Sequence, residues 1–387
     1  MVYLRRLIRF IATLFGLLAF AVILYGVIGY VYSRHLAEYE YELAAWPPES
    51  AFHDPVKVET EVPHRARILA IEGGGLDGLA DLEVLKAIEQ RSGKRIYELF
   101  DFVAGASTGA IISTLLLNPD AETGQPMTAD EAIEAYEKFA GQVFSGPRYH
   151  TILTGFGAFG PALTNRGRID TAREVFGRAR FKDLLRPAMF PAYSQRTSGL
   201  KVFRNWNREE ANLYLWPLVT AVTSVPTIFP AVILSGDKHD DYFYGDPGLI
   251  LNAPGDVAYI HARKHLPQAD EFVVVALGTT RDFSITEEIG IKGGMLQWFT
   301  PAFRLVYRGE TTVSRGALEQ HETFGSDIDI KLTVLSPGIP SDNSAFDPSP
   351  ENIARIRQAG RDFVRENTDG IDKLIGALTH DSAKGRL

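Results

Sequence analysis

The chain has 387 residues, of which 45% are hydrophobic, so it can form one large domain with additional segments, and disorder throughout is disfavoured. The formal net charge is -8 and the 40 Lys and Arg residues are scattered, which disfavours a nucleic-acid partner. The absence of cysteine excludes disulfides, thiolate metal sites and a cysteine nucleophile.

The first predicted element is an apolar helix. No charged side chain occurs from Phe10 to Tyr32, and about 23 helical residues rise roughly 34 Å, enough to cross a hydrocarbon core of about 30 Å. We therefore expect an uncleaved membrane anchor in residues 1–35. A cleaved signal peptide and a buried helix are the alternatives, although the end of the run shows no clear cleavage site.

Positive charge is unequal on the two sides of this helix. Arg5, Arg6 and Arg9 precede the apolar run, whereas Arg34 stands almost alone after it. The positive-inside rule therefore predicts a single-pass protein with a cytoplasmic N-terminus and an extracytoplasmic main domain. The Glu-, Tyr- and Pro-rich residues 36–63 are expected to form a juxtamembrane linker.

After residue 64, short apolar runs alternate with amphipathic segments. Residues 68–71 and 100–104 have the composition of buried strands, and each is followed by a glycine turn and a helical pattern. Residues 200–203 and 272–277 are further strand candidates. This alternation predicts an α/β fold, a three-layer sandwich with a central, mostly parallel sheet. We expect this domain to occupy residues 64–375, followed by a C-terminal tail at 376–387.

The second glycine turn reads Gly105-Ala106-Ser107-Thr108-Gly109 and lies between an apolar strand and an apolar helix. In that position G-x-S-x-G is typical of a nucleophile elbow, because its glycines, Gly105 and Gly109, permit a strained turn that exposes the serine hydroxyl. Ser107 is therefore a candidate nucleophile. The alternative is an ordinary helix N-cap, in which Ser107 or Thr108 only satisfies backbone N–H groups.

The first glycine turn runs from Glu72 to Gly78 and contains three consecutive glycines: Gly73, Gly74 and Gly75. Residues without side chains let backbone N–H groups approach a reacting oxygen, and the following helix adds its positive end. Such a turn suits an oxyanion hole, where loss of one donor typically costs about 2.7–4 kcal/mol.

A dinucleotide site is the alternative for this turn, because Gly73, Gly75 and Gly78 also satisfy G-x-G-x-x-G. Glu98 or Asp101 would then bind the ribose. That interpretation leaves the elbow serine without a role, whereas an acyl-transfer site uses both turns.

A serine nucleophile also requires a base. Asp246 follows an aromatic run and precedes Pro247-Gly248. Asp-Pro and Pro-Gly pairs also form ordinary turns, so the residues alone do not select Asp246 among the acids of the chain.

The order of glycine-rich turn, G-x-S-x-G and a late Asp-x-Gly followed by Asn252-Ala253-Pro254 resembles the patatin-like phospholipase family. Segments in family order add to the resemblance, which spans residues 66–370: 181–187, 202–206, 223–230 and 276–279. The resemblance implies a lipid acyl hydrolase with a Ser/Asp dyad and no cofactor or metal. Ser107 would be the nucleophile, Asp246 the base and Gly73, Gly74 and Gly75 the oxyanion turn, with Gly74 and Gly75 preferred as donors.

Three residues depart from the family pattern without removing the dyad. Glu72 replaces an Asp, Asp77 replaces an Arg or Lys beside Gly78, and Pro247 removes an N–H donor from the turn that contains Asp246 and Gly248. A catalytically weak or inactive membrane-tethered binding or scaffold protein is therefore one alternative. A Ser/Asp/His triad that uses His261 or His265 is another.

Three other segments have two interpretations each. The aromatic residues Phe144, Tyr149, Phe156 and Phe159 form either a mobile cover that meets lipid or a partly buried irregular loop. Residues 296–307 form an amphipathic helix that faces either the core or a membrane. The acids and histidine at 237–241 are expected to be a solvated loop rather than a metal site. The predicted protein is thus a membrane-anchored hydrolase of lipid carboxylic esters, with headgroup and protein partners unspecified.

Overall fold

The computed structural model describes residues 2–35, 40–47, 64–236, 243–281, 285–286, 290, 292, 294–324 and 329–380. Its helices are α1 (Val2–Ser33), α2 (Gly78–Ser92), α3 (Ile96–Leu99), α4 (Thr108–Leu117), α5 (Ala129–Val143), α6 (Arg148–Leu153), α7 (Arg166–Phe176), α8 (Leu215–Val222), α9 (Gly255–His265), α10 (Met295–Phe324), α11 (Pro350–Glu366) and α12 (Thr368–Thr379). Its strands are β1 (Glu42–Ala44), β2 (Arg65–Ile71), β3 (Phe102–Gly105), β4 (Ala188–Ser194), β5 (Gly199–Arg204), β6 (Val232–Ser235), β7 (Phe243–Gly245), β8 (Glu271–Leu277), β9 (Thr280–Arg281), β10 (Asp329–Leu335) and β11 (Gly338–Ile339).

The main sheet has the strand order β1-β6-β7-β4-β3-β2-β8-β10, and β5 pairs with β4 outside this path. Its pairs are parallel except where β7 meets β4 and β6 and where β5 meets β4. The predicted mostly parallel sheet is therefore confirmed. Ile71 at the end of β2 is in register with Gly105 at the end of β3, so the turns that follow these strands are neighbours.

Both faces of the sheet are covered, as the predicted three layers require. Alternate residues of a strand point to opposite faces. Leu69 and Ile71 of β2 pack in a core with Leu82 and Leu85 of α2. Ile68 and Ala70 belong instead to a second core, on the other face, which includes Ala258 and Tyr259 of α9.

Several strands differ from the sequence-based expectation. The segments predicted at 68–71 and 272–277 lie in β2 and β8, and the one at 100–104 becomes the shorter β3. The segment at 200–203 lies in β5, which is mostly half-buried rather than buried, because it pairs with β4 alone. The sequence did not predict β4 or β10. Pro191 interrupts the strand signal of β4, and the charged residues of β10 suit an edge position.

Two predicted boundaries also change. Within the predicted linker 36–63, Glu42–Ala44 form β1, which pairs in parallel with β6 and buries Leu43. A three-residue edge strand is too short to show a periodicity. At the other end α12 continues to Thr379, beyond the expected domain limit of 375.

The N-terminal helix α1 is long and apolar enough over Arg5–Ser33 to cross a membrane, with a mean hydropathy of 2.5. Its apolar side chains are exposed over most of its length, which contradicts the alternative of a buried helix. A helix of this kind could be a membrane span or a signal sequence.

The close approach of α4 to β2 requires glycine at position 109. A Cβ atom there would lie 2.3 Å from the Ile71 carbonyl oxygen. We predict that Gly109→Ala lowers the free energy of unfolding by about 1–3 kcal/mol, because backbone must move to relieve the overlap. Denaturant unfolding measures this.

Gly376→Ala is the matched control, since a Cβ on this helical residue of α12 meets nothing within 4 Å. Its expected effect is a gain of up to about 1 kcal/mol. Equal unfolding midpoints for the Gly109 variant and the unmodified chain would contradict the packing described here.

Candidate active site

Ser107 occupies a strained turn between β3 and α4. Its backbone has φ 50° and ψ -119°, a conformation that residues with a side chain rarely adopt. The residue stands at the N-cap position of α4 but its side chain makes no capping hydrogen bond, which contradicts the ordinary N-cap interpretation. Ser107 is 7% exposed. Its hydroxyl is therefore available for contacts other than helix capping.

Asp246 follows β7 and is 6% exposed. Its N–H donates to the Ser224 carbonyl oxygen at 3.0 Å, which positions the backbone. Its Oδ1 accepts the Gly248 N–H at 2.8 Å, so the turn still supplies a donor although Pro247 has none. Oδ2 is buried and meets no donor at bonding geometry among the described residues.

The hydroxyl of Ser107 is close enough to the carboxyl group of Asp246 to lower its pKa. Burial raises the pKa of Asp246 to about 6, and the opposing influences are, in order, the Ser107 hydroxyl, the Gly248 N–H and the positive charge of Arg168. The two residues that the sequence analysis joined only through a family resemblance are therefore neighbours in the fold.

Arg168 of α7 supports the backbone at residues 223 and 224, to which Asp246 is hydrogen-bonded. Arg168 was not identified from the sequence. It is buried and donates to the Thr223 carbonyl oxygen at 2.6 Å and to the Ser224 Oγ at 2.9 Å. Its guanidinium also lies 4.1 Å from the ring centre of Phe229. Burial lowers the pKa of Arg168 to about 9, against the influence of Asp246. One arginine in an amphipathic helix carries no sequence signal of such a role.

The glycine turn lies beside the serine, with the ideal Cβ position of Gly73 3.0 Å from the Ser107 Cβ. The Gly73 N–H donates to the Asn252 carbonyl oxygen at 3.2 Å. The N–H groups of Gly74 and Gly75 meet no acceptor in the described part of the chain. Of the three candidate donors, Gly74 and Gly75 therefore have uncommitted protons.

Gly75 has a conformation that only glycine suits. Its φ is +59°, and a Cβ would lie 2.5 Å from the Ala345 carbonyl oxygen. The Tyr136 hydroxyl donates to the Gly75 carbonyl oxygen at 3.0 Å and also contacts the Thr108 hydroxyl beside the nucleophile. Tyr136 thus links the glycine turn to the elbow.

Helix α10 supports the same turn from the other side. The Tyr307 hydroxyl donates to the Gly73 carbonyl oxygen. Glu310 accepts the N–H groups of Asn252 and Ala253 at 2.7 and 3.0 Å, while burial raises its pKa to about 7. Asn252 belongs to a motif that the sequence showed. Tyr307 ends the segment predicted as an amphipathic helix, but no pattern linked Tyr307 or Glu310 to the glycine turn.

Two arginines compensate the acidic residues of the glycine turn. Glu72 and Arg315 form an ion pair at 2.8 Å. Asp77 binds both Arg281 Nε and Nη2, at 2.8 and 2.5 Å. Burial raises the pKa of both acids, and the arginine partners oppose that rise. The charge reversal at Asp77 is therefore matched by a cation within the same structure.

An apolar cavity of about 90 Å³ lies between α4, α5, α7 and α8. Tyr136 and Arg168 form part of its wall, as does Ile111, whose N–H donates to the Ser107 carbonyl oxygen at 3.4 Å. Its other apolar wall residues include Leu115, Phe139, Val143, Phe144 and Val175. The cavity thus begins one helical turn from the serine.

The two histidines considered for a triad lie elsewhere along the sheet. Both are on α9, and the rings of His261 and His265 lie 6.4 and 4.6 Å from that of Trp206. Trp206 in turn packs on Phe102, the first residue of β3. Ser107 lies two residues beyond the other end of this strand, so the histidines are near the opposite end of β3 from the serine. The residues considered for a metal, Asp237, His239, Asp240 and Asp241, are outside the described residues.

Comparison with known proteins identifies the class. Residues 69–259 match the sequence model described as Patatin-like phospholipase, a range that contains both glycine turns, Ser107 and Asp246. The match confirms, over residues 69–259, the resemblance found in the sequence. The family match supports a lipid acyl hydrolase.

Three relatives are similar over different lengths. Probable inactive patatin-like protein 9 of Arabidopsis thaliana is 28% identical over 55% of this chain and 60% of its own length. Calcium-independent phospholipase A2-gamma of Oryctolagus cuniculus is 28% identical over 59% of this chain, but the match spans only 29% of that protein. Patatin-like protein 2 of Oryza sativa subsp. indica is 21% identical over 89% of both chains.

The Asp77–Arg281 pair yields a stability test. We predict that Asp77→Ala lowers the free energy of unfolding by about 2–3 kcal/mol, because it removes the carboxylate that neutralises a partly buried guanidinium. In a double-mutant cycle with Arg281→Ala, the double variant should lose less than the sum of the single losses. Strictly additive losses in denaturant unfolding would show that the pair contributes nothing.

Proposed function

We propose that this protein is a membrane-anchored serine acyl hydrolase that cleaves lipid carboxylic esters with a Ser107/Asp246 dyad. The observation that carries the proposal is the buried Asp246 carboxyl group beside Ser107, whose hydroxyl makes no helix-capping hydrogen bond. The neighbouring turn supports an oxyanion hole, because the N–H groups of Gly74 and Gly75 meet no acceptor among the described residues.

In the proposed reaction, the Asp246 carboxylate accepts the proton of the Ser107 hydroxyl as its oxygen attacks the ester carbonyl. The N–H groups of Gly74 and Gly75 stabilise the resulting oxyanion. Collapse of the tetrahedral intermediate breaks the ester bond, and the alcohol leaves with the proton held by Asp246. Water then attacks the acyl-enzyme, again with Asp246 as base. The bond between the acyl group and the Ser107 oxygen breaks, Asp246 returns the proton to that oxygen, and the carboxylic acid leaves.

The pKa of Asp246 suits this role. A carboxyl group with an ordinary pKa of about 3.9 is a weak base at neutral pH. At a pKa of about 6 the group is still mostly ionised at pH 7, while its affinity for a proton is larger. The arrangement thus provides a base without histidine.

Three observations support a lipid substrate. The apolar cavity beside Ile111 can accept part of an acyl chain. The family match is to phospholipases. The α1 helix can hold the domain at a bilayer, where such esters are found.

A catalytically inactive, membrane-tethered protein is the second candidate, favoured by the name of the Arabidopsis relative. Against it, Asp77 is paired with Arg281, and the Asp246 carboxylate still accepts a hydrogen bond from the Gly248 N–H. The third departure, Glu72, is paired with Arg315, so all three leave the proposed machinery in place.

Labelling with a fluorophosphonate probe tests the proposal, because the probe forms a stable bond with an activated serine. We predict that the detergent-solubilised full chain is labelled, that Ser107→Ala abolishes labelling, and that Asp246→Ala lowers its rate at least about 100-fold. The variant with both His261→Ala and His265→Ala is the matched control and should be labelled at the normal rate. Absence of labelling of the unmodified chain would support the inactive protein.

The pH dependence tests the base. Only the carboxylate form of Asp246 can accept a proton, so kcat/KM on a soluble ester should rise as pH increases through about 6 and level off above it. A profile that is flat from pH 5 to 8 would contradict the assignment.

Arg168 provides a control for this profile. Its positive charge lowers the pKa of Asp246, so Arg168→Met should move the acid limb to higher pH. Arg168→Lys, which keeps the charge, should leave the limb near its original position. Thermal unfolding of both variants separates this effect from a loss of the fold.

A further inference from the structure

The end of α1 packs against the catalytic domain through the segment formed by residues 148–161, which includes α6. The rings of Tyr25 and Phe159 lie 5.4 Å apart at an angle of 85°. The Tyr32 hydroxyl lies 3.1 Å from His150 Nδ1, and the Tyr25 hydroxyl donates to the Ile152 carbonyl oxygen. The domain is thus attached to the last three turns of the apolar helix by side-chain contacts as well as by the chain.

This segment presents three large apolar side chains to the outside: Tyr149 is 61% exposed, Ile152 53% and Phe156 75%. Phe156 also has a positive φ of 55°, an unfavourable conformation for an aromatic residue. A soluble surface gains nothing from such a group, whereas aromatic and aliphatic side chains beside a membrane span can enter the headgroup region.

The two residues after this segment join it to the catalytic edge of the sheet, the edge at which Ser107 and Asp246 lie. The N–H groups of Ala162 and Leu163 donate to the carbonyl oxygens of Thr227 and Ile228 at 2.9 and 2.8 Å. Three residues before Thr227, the Ser224 carbonyl oxygen accepts the Asp246 N–H. A continuous set of contacts therefore leads from α1 to the proposed base.

We propose that Tyr149, Ile152 and Phe156 form a membrane-docking surface, which inserts into the leaflet from which α1 emerges and holds the catalytic edge against the lipid. The occupant is the bilayer itself, because the three side chains lie beside the end of a helix that can span it. The proposal rests on the membrane anchoring proposed above and adds a fixed orientation of the domain. An ester in the bilayer then faces Ser107 without having to leave the membrane.

Because the chain has no cysteine, a single introduced cysteine can carry an environment-sensitive NBD fluorophore. Ile152→Cys reports the proposed surface. Glu122→Cys is the matched control: α4 starts at the catalytic edge and ends at Leu117, so the exposed residues that follow lie at the opposite edge. Both full-length proteins are reconstituted in phosphatidylcholine vesicles, with and without nitroxide-labelled acyl chains.

We expect blue-shifted NBD emission at position 152 and quenching by the nitroxide lipid several-fold greater than at position 122. Equal, weak quenching at both positions in vesicle-bound protein would overturn the docking surface. Failure of the protein to float with the vesicles would instead refute the anchoring on which it rests. The readout is independent of catalysis, so it holds equally in a Ser107→Ala background.

A second measurement links the surface to activity. The variant Tyr149→Ser/Ile152→Ser/Phe156→Asn replaces the apolar groups, with asparagine at the positive φ because it tolerates that conformation. Hydrolysis of phosphatidylcholine in vesicles should fall by about fivefold or more, while hydrolysis of a soluble short-chain ester and fluorophosphonate labelling stay unchanged. An equal loss on both substrates, or no loss on either, would contradict the proposal.

Discussion

A carboxyl group buried beside a serine hydroxyl is the constraint around which this site is arranged. One oxygen of Asp246 accepts the Gly248 N–H, and the other is buried without a hydrogen bond of ordinary geometry from any described residue. Water is largely excluded, so its pKa rises to about 6. The neighbouring cation, Arg168, keeps that rise moderate, and the group remains ionised at neutral pH while it is a stronger base than an exposed aspartate.

This arrangement reduces stability. A rise of about two pKa units corresponds to about 3 kcal/mol. The folded state binds the Asp246 proton more tightly than the unfolded state, because the folded pKa is the higher of the two. Protonated Asp246 therefore contributes stability below about pH 4, and this contribution is lost as pH rises through about 6. The packed cores on both faces of the sheet offset this cost.

The part of the site that could be predicted from the sequence is the part encoded in short motifs. Ser107 and the glycine turns follow apolar strands, and the parallel sheet brings their ends together. Asp246 depended on a family resemblance, because one acid in a turn has no distinctive local pattern. Arg168, Tyr307 and Glu310 could not be predicted, since each acts through contacts made only after distant helices pack.

The central claim is that the fold makes Asp246 a base, and its pKa can be measured directly. Selective ¹³C labelling of aspartate carboxyl groups, with the Asp246 signal assigned by its loss in Asp246→Asn, allows an NMR titration of the detergent-solubilised chain. We predict a midpoint at about pH 6. The signal should also shift in Ser107→Ala, which removes the hydroxyl that lowers the pKa. A midpoint near 4 or below, unchanged in Ser107→Ala, would contradict the proposed dyad.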